Sequence, residues 1–310
     1  MTAGQQVSRQ TPARRGGLSF LSPLTERWFL VVAAWPSLIL MVAVTAIPFA
    51  VTLGLAFTNY DLVRADGWRF IGFNNFAEMA RDSNTPAIIF NTFYLVIATT
   101  VIPTILGLGL AVLMDTAVRG IGLIRTLFLL PIMTAPIVVA LTWRAMFNHD
   151  AGWINYFLGL GGLPQPVWLG DPLLAMPSII IADMWTGIPF QAILLLAALL
   201  TVPRELKDAA EVDGASTTRV FWHVTLPWIR PVLVVVVVLR MMDAFRKFEG
   251  IQVLTSGGPG FASTTINLHI YNTGLFYHRV GYAASFGIVM VLLIAASLLV
   301  AYLFGRWAAR

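Results

Sequence analysis

Cysteine is absent from the 310-residue sequence, and its absence excludes several kinds of chemistry. Without cysteine there is no disulfide scaffold, no thiol nucleophile and no cysteine-ligated metal site. The four histidines show no spacing typical of a metal centre, so we expect no metal site in this chain. No serine, histidine and aspartate pattern indicates a catalytic triad either. The sequence therefore predicts a protein that is not an enzyme.

Charge is the second scarce property. The 20 basic and 15 acidic side chains make up 11% of the chain, whereas a soluble domain has about 25%. Mean hydropathy is +0.79, too apolar for a surface that faces water. Only two residues are lysine, and we expect the arginine excess to report membrane topology rather than a nucleic-acid partner. These values predict an integral membrane protein.

Six apolar segments are candidates for membrane-spanning helices, which need about 20 residues each, although the fifth is strongly apolar over only part of that length. They are Trp28–Tyr60, Pro86–Met114, Thr126–Trp143, Pro172–Val202, Ile229–Leu239 and Val280–Gly305. Strands of a membrane barrel need only about ten residues, so segments of this length favour helices. We therefore predict an all-α fold, a six-helix transmembrane bundle over residues 28–305.

The distribution of basic residues predicts the orientation of this bundle. With the N-terminus inside, 12 of the 20 basic residues lie in inner segments and four in outer loops. The segment from Asn148 to Asp171 contains no lysine or arginine, as expected of an external loop. We predict a multi-pass protein of the bacterial inner membrane with both termini cytoplasmic, residues 1–27 being a disordered tail and 306–310 the C-terminus.

The longest polar segment on the predicted inner side is residues 203–227, between the fourth and fifth spans. It is expected to form two short helices, the first beginning near Pro203 and ending at Gly214. Ser216 can cap the second helix, which Leu226–Pro227 is expected to end before the membrane. Small residues such as Ala209 leave a surface that can insert into a groove on another protein.

This segment resembles the EAA loop of membrane subunits of binding-protein-dependent ABC importers. The matching positions are Asp208, Ala209, Ala210, Asp213, Gly214, Ala215, Phe221, Val224, Leu226 and Pro227. Asp208 stands where the family usually has Glu, and Val224 where it usually has Ile. The similarity extends over the six-span body and is greatest to sugar permeases related to the maltose permease, through residues 240–249 and 255–259.

The resemblance implies that loop 203–227 contacts a cytoplasmic ATPase and couples ATP hydrolysis to the spans. It further implies as partners a second homologous permease subunit, two ATP-binding cassette subunits and an extracytoplasmic solute-binding protein. Neither Lys207 nor Lys247 stands in the Gly-Lys-Ser/Thr step of a phosphate-binding loop. ATP and Mg are therefore expected on the partner subunits, with no cofactor in this chain.

Five ionisable residues lie within ten positions at the end of the fifth span, where charge is costly. They are Arg240, Asp243, Arg246, Lys247 and Glu249, with Phe245 and Phe248 between them. If the segment is helical, Arg240, Asp243 and Lys247 share one face, and Arg246 and Glu249 form a second pair. Donors, acceptors and aromatic rings suit a sugar site, but the charges could equally form ion pairs that only stabilise the bundle.

Three polar residues of the fourth span and one of the second are further candidates for lining a substrate path: Asp183, Trp185, Gln191 and Asn91. Gly187 and Pro189 are expected to interrupt the fourth helix and expose backbone groups to a cavity. Helix packing is an equal alternative for Trp185, and helix bridging is an alternative for Asn91.

The predicted function is that of a permease subunit of an ATP-driven importer for a sugar or glycoside. One alternative is an anionic substrate, such as a phosphorylated or sulfonated sugar or glycerol derivative, attracted by the arginines of the fifth span. The other is an ion-coupled secondary transporter in which Asp183, Asp243 and Glu249 relay protons. The glycine-rich segment Thr255–Gly260 is expected to be a flexible external loop.

Overall fold

A computed structural model of the chain describes residues 23–63, 67–115 and 121–308. In these ranges the chain is helical, and its only β-type pairing is an isolated bridge between Thr58 and Phe70. The α-helices are α1 Pro23–Leu55, α2 Asn74–Arg81, α3 Thr85–Asp115, α4 Ile121–Leu127, α5 Leu130–Met133, α6 Pro136–Met146, α7 Trp153–Leu160, α8 Ala175–Leu199, α9 Arg204–Val212, α10 Thr217–Val220, α11 Leu226–Phe245, α12 Glu249–Leu254, α13 Ile266–Tyr271 and α14 Val280–Ala308. Two π-helical turns, Phe221–Thr225 and Asn272–Phe276, lie next to α11 and α14.

The chain divides into two units, residues 1–51 and 52–310. The described residues of the first unit all belong to α1. The predicted cytoplasmic tail lies outside the described residues as far as residue 22, and α1 begins at Pro23. Residues 309–310 of the predicted C-terminal segment also lie outside them, and α14 continues to Ala308.

Five helical segments are long and apolar enough to cross a membrane. They are Ala34–Leu55, Thr85–Asp115, Ala175–Leu199, Thr217–Phe245 and Val280–Leu303. They match five of the six predicted segments, although the helix of the fifth is far longer than Ile229–Leu239. That prediction ended where charges begin, but the helix continues because those charges are neutralised within the fold, as described below.

The third predicted span, Thr126–Trp143, is not one straight helix. Segments Arg125–Met133 and Pro136–Met146 meet at an angle of 98°, so they form either one broken span or a re-entrant loop. The bend lies at Thr134 and Ala135, both in extended conformation. A residue before proline is disfavoured in helical conformation, and Pro136 therefore accounts for the break. The described part of the chain thus has five candidate spans, or six if the bent pair forms one.

Helix packing within residues 52–310 centres on α3, α8 and α11. A buried apolar cluster that includes Ala111, Leu195 and Ile229 joins these helices near the loop between α8 and α11. Another, around Leu95, Ile179 and Ile251, joins α3 and α8 to α12 near the other end of α8. The charged cavity described below is lined by residues next to this second cluster.

Candidate functional site

A cavity of about 620 Å³ lies within residues 52–310. Its wall is formed by α3, the bend between α5 and α6, α8, α11 and α12. Six ionisable side chains line it: Asp183, Arg240, Asp243, Arg246, Lys247 and Glu249. The sequence singled out all six, and the fold brings them to one cavity.

Four of these side chains form a closed ring of alternating charge, which we call the ion-pair ring. Its members are Asp183, Arg240, Asp243 and Lys247. Arg240 pairs with Asp183 through Nη2, and its Nη1 lies 2.9 Å from Asp243 Oδ2. Lys247 Nζ lies 2.8 Å from Asp183 Oδ1 and 3.2 Å from Asp243 Oδ2. Each charge therefore has two opposite neighbours, and the ring joins α8 to α11 and the segment after it.

Arg240 is the buried centre of the ring, with 3% of its surface exposed. Its Nε donates a hydrogen bond of 2.9 Å to the backbone carbonyl of Thr99 in α3. In an unbroken helix that carbonyl would accept from the N–H four residues later, but that residue is Pro103, which has no N–H. A proline in α3 thus leaves open the acceptor that the guanidinium uses, and one side chain links α3, α8 and α11.

Gly187 of α8 provides the space that the Arg240 guanidinium occupies. A Cβ atom at this position would lie 2.6 Å from Nη2 and 3.0 Å from Cζ. Any larger residue would displace the guanidinium from Asp183. The predicted interruption of the fourth helix is wrong, because α8 is continuous through Gly187 and Pro189. The role of Gly187 is close packing against Arg240.

Arg246 and Glu249 line the same cavity but lie outside the ring. Helix α11 ends at Phe245, and Arg246 is its C-terminal cap, while Glu249 begins α12. The expected helical pair between them is therefore wrong, because the helix stops before it can place them on one face. Both residues are exposed, and within the described ranges neither side chain makes a hydrogen bond or an ion pair.

The two phenylalanines of this segment lie elsewhere. Phe245 is buried, with its ring edge-on to Phe93 at 6.1 Å between centroids. Phe248 packs on Tyr271 at 4.8 Å and lines a second cavity of about 590 Å³, which Arg246 also borders. The aromatic ring that lines the charged cavity is Phe190 of α8.

The remaining candidates on α3 and α8 do not line the charged cavity. Trp185 is exposed, and Gln191 is fully buried, its Oε1 accepting a hydrogen bond from Thr104 Oγ1 at 2.6 Å. Asn91 Nδ2 donates to the carbonyls of Phe261 and Thr264. Asn91 therefore holds the segment that follows the glycine-rich loop against α3.

The glycine-rich loop is itself closed by side-chain hydrogen bonds. Ser263 Oγ donates to the carbonyl of Gly258 at 2.7 Å, and Thr264 Oγ1 donates to that of Gly257 at 2.9 Å. Ser263 and Thr264 are buried, which places the loop within the packed part of the molecule. These hydrogen bonds hold the loop in a packed conformation, and its flexibility and external position stay predictions.

Thr134, Thr186 and Phe190 also line the cavity, and Thr134 and Phe190 were not predicted to line a substrate path. Thr186 lies one helical turn from Asp183, and Phe190 lies one turn further along α8. That spacing was available as a signal for both residues. Thr134 enters the wall only because Pro136 bends the chain there, so its signal was the proline two residues later.

The loop between α8 and α11 forms the first predicted helix, α9, which ends at Val212 before Gly214. Gly214 has φ of +80°, a left-handed conformation that glycine adopts without steric cost. The second helix does not end at Leu226–Pro227 as expected. A π-helical turn over Phe221–Thr225 leads directly into α11, and Pro227 lies in the first turn of that helix, where no N–H is required. The second helix of the loop is therefore continuous with α11.

The exposed side of this loop carries half of the predicted motif. Asp208, Ala209, Asp213, Gly214 and Pro227 are exposed, whereas Ala210, Ala215, Phe221, Val224 and Leu226 are half-buried. Val212 of α9 is 87% exposed. Lys207 of α9 forms an ion pair of 3.1 Å with Asp115 at the end of α3. Helix α9 thus contacts α3 through an ion pair, while its apolar Val212 side chain is exposed.

The family model described as "binding-protein-dependent transport system inner membrane component" matches residues 103–310. The chain belongs to this family of membrane transport components. It is 42% identical over 178 residues to the trehalose/maltose transport system permease protein MalF of Thermococcus litoralis, which covers 57% of this chain and 59% of that protein.

Two further similarities extend over more of the chain. A probable ABC transporter permease of Sinorhizobium fredii is 33% identical over 304 residues, 96% of both proteins. The trehalose transport system permease protein SugA of Mycobacterium tuberculosis is 33% identical over 86% of this chain and 84% of its own. Among solved structures, a chain of a bacterial alginate ABC transporter, in complex with an alginate-bound periplasmic protein, matches with a TM-score of 0.80. It is 24% identical and covers 93% of this chain and 97% of that one, so it supports the fold alone.

Proposed function

We propose that this chain is one permease subunit of an ATP-driven importer that carries a sugar or glycoside across the inner membrane. The observation that carries the proposal is the cavity between apolar helices, in which ionisable side chains with donors and acceptors lie beside Phe190. Sugar hydroxyls accept and donate hydrogen bonds, while the C–H faces of the ring pack on aromatic side chains. The trehalose and maltose permeases among the relatives support the same substrate class.

The charge of the cavity favours a neutral sugar over an anionic one. Three basic and three acidic side chains line it, so their formal charges sum to zero. An anion would need a net positive site, since ions transferred into a low-dielectric region require compensation. Phosphorylated and sulfonated sugars are therefore the less favoured substrates.

We place both termini and the loop 203–227 in the cytoplasm and assign this loop to contact with the ATPase. The basic residues concentrated in the inner segments support this orientation. The exposed motif and Val212 provide a surface for a partner, and the Lys207–Asp115 ion pair links that surface to α3. ATP hydrolysis belongs to separate subunits, because neither lysine of this chain stands in a phosphate-binding motif.

In this proposal the transporter contains a second homologous permease, two ATPase subunits and an external binding protein. Binding of the loaded binding protein and ATP-driven closure of the ATPases shift loop 203–227 and thereby α11, whose far end carries the charged cavity. The continuous π-turn and helix between the loop and α11 support a rigid connection of this kind. We assign no metal or cofactor to this chain.

The test is reconstitution of the complex in liposomes, purified through a tag on this chain and supplied with its binding protein. Trehalose, maltose and glucose 6-phosphate are compared for stimulation of ATP hydrolysis and for uptake. We expect stimulation by a neutral disaccharide and none by the phosphate ester. Uptake driven by a proton gradient without ATP would instead support the secondary transporter and contradict the proposal, and a preference for glucose 6-phosphate would favour the anionic substrate.

A further inference from the structure

We propose that Arg246 and Glu249 are the residues that recognise the hydroxyl groups of the transported sugar, whereas the ion-pair ring positions the cavity wall without binding substrate. This inference rests on the proposed function and assigns its specificity to two side chains. It follows from how the hydrogen-bonding capacity of the six ionisable residues is distributed in the cavity.

The ring uses its charges internally. Arg240 donates through Nε, Nη1 and Nη2 to Thr99, Asp243 and Asp183, and Lys247 donates to both carboxylates. Drawing Arg240 or Asp183 toward a ligand would leave an opposite charge without compensation, which is strongly unfavourable because these two side chains are only 4% and 10% exposed. The ring is therefore suited to hold α3, α8 and α11 in a fixed arrangement.

Arg246 and Glu249 have the opposite property. Both are exposed and line the cavity, and within the described residues their side chains make no hydrogen bond or ion pair. A guanidinium offers only donors and a carboxylate only acceptors, so together they satisfy both roles of sugar hydroxyls. Within the described residues the two opposite charges do not meet at ion-pair distance, so neither side chain neutralises the other.

Asp243 is the ring member that most nearly competes for this role, because about half of its side chain is exposed. Its Oδ2 is held by both Arg240 and Lys247, at 2.9 and 3.2 Å, while its Oδ1 takes no part in the ring contacts. Asp243→Asn keeps the size of the side chain and an acceptor oxygen but removes the ring charge. This variant therefore separates a positioning role from substrate contact.

The experiment measures equilibrium binding of labelled trehalose to the permease–ATPase complex in nanodiscs, with the binding protein left out so that only the membrane site is probed. If maltose gives the larger stimulation of ATP hydrolysis, labelled maltose is the probe. Arg246→Gln and Glu249→Gln are each expected to raise the Kd about 10- to 100-fold, as for loss of a hydrogen bond to a charged group. Arg246→Lys is expected to give an intermediate Kd, because lysine keeps the charge but not the planar fork of donors.

Asp243→Asn is the matched control and is expected to lower the melting temperature while changing the Kd less than about threefold. Deoxy derivatives of the sugar add a second criterion. A derivative that binds weakly to the wild type through loss of a hydroxyl contact to Arg246 should lose nothing further in Arg246→Gln.

Three results would overturn the inference: no binding of the sugar to the wild-type complex, unchanged Kd values in the Arg246 and Glu249 variants, or an equal rise of the Kd in Asp243→Asn. These results are distinguishable from failure of the proposed function. If the proposed function is wrong, the wild-type complex shows no sugar-stimulated ATP hydrolysis. If the wild type shows this stimulation and the Kd values of the Arg246 and Glu249 variants are unchanged, only the inference is contradicted.

Discussion

The charged cavity and the loop 203–227 lie toward opposite ends of α11 and use charge in opposite ways. In the cavity, four charges are paired with one another around a buried arginine, and two make no ion pair within the described residues. In the loop, charges such as Asp208 and Asp213 are exposed to solvent. A buried ion pair is costly to break because it leaves a charge without compensation, whereas an exposed charge contributes little to stability. Stability is therefore expected to depend on the ring and contact with a partner on the loop.

The largest effect should follow from Arg240→Met, which removes the centre of the ring. Asp183 and Asp243 would then share only Lys247, and loss of one partner from a buried pair costs about 3–5 kcal/mol. Thermal unfolding of the purified complex in detergent measures this loss. The matched control is Arg81→Met on the exposed side of α2, outside both the cavity and the loop, which should change stability by less than about 0.5 kcal/mol.

A second variant separates charge from packing in the same experiment. Adding Asp243→Asn to Arg240→Met removes one negative charge with the positive one and leaves the Asp183–Lys247 pair balanced. Part of the lost stability should return. A double variant less stable than Arg240→Met alone would show that the ring stabilises the fold through packing rather than charge. The difference in the use of charge between the ring and the loop would then no longer hold.

A smaller effect is expected from Gly187→Ala. The added methyl group would lie 2.6 Å from Arg240 Nη2, and a guanidinium held at three atoms cannot move away without losing a bond. Overpacking of this kind costs about 1–3 kcal/mol. Gly109→Ala in α3 is the control, because a Cβ there meets nothing within 4 Å. Equal melting temperatures of the two variants would refute the role of Gly187.

Much of the fold could be predicted from the sequence, because long uncharged runs in a membrane protein have few alternatives to helices. The second span agrees to within one residue, Pro86–Met114 against Thr85–Asp115. The bend in the third predicted segment was missed, because the hydropathy of a segment does not register the conformational restriction that Pro136 places on Ala135. The fifth span was predicted too short because charged residues such as Arg240 and Asp243 lower the hydropathy of a segment even where ion pairs compensate their charges.

The members of the cavity could be predicted, but their division into ring and open pair could not. Spacing along one helix indicated that Arg240 and Asp243 meet. The pairing of Arg240 with Asp183 depends on how α8 packs against α11, which no local pattern encodes. The backbone carbonyl of Thr99 cannot be recognised from side-chain types in the sequence. Only Pro103, which has no N–H to donate, indicates that this carbonyl lacks its usual helical partner.

The smallest effect on stability is expected from Lys207→Met or Asp115→Asn, which break the ion pair between α9 and α3. Both side chains are about one quarter exposed, so the pair contributes about 0–1 kcal/mol. Under the proposed function, sugar-stimulated ATP hydrolysis should nevertheless fall, since the pair links the ATPase-contacting helix to a span. The reversed pair, Lys207→Asp with Asp115→Lys, should restore the stimulation. Full stimulation in both single variants would mean that movement reaches the spans through the π-turn and α11 alone. The Lys207–Asp115 ion pair would then serve neither stability nor coupling.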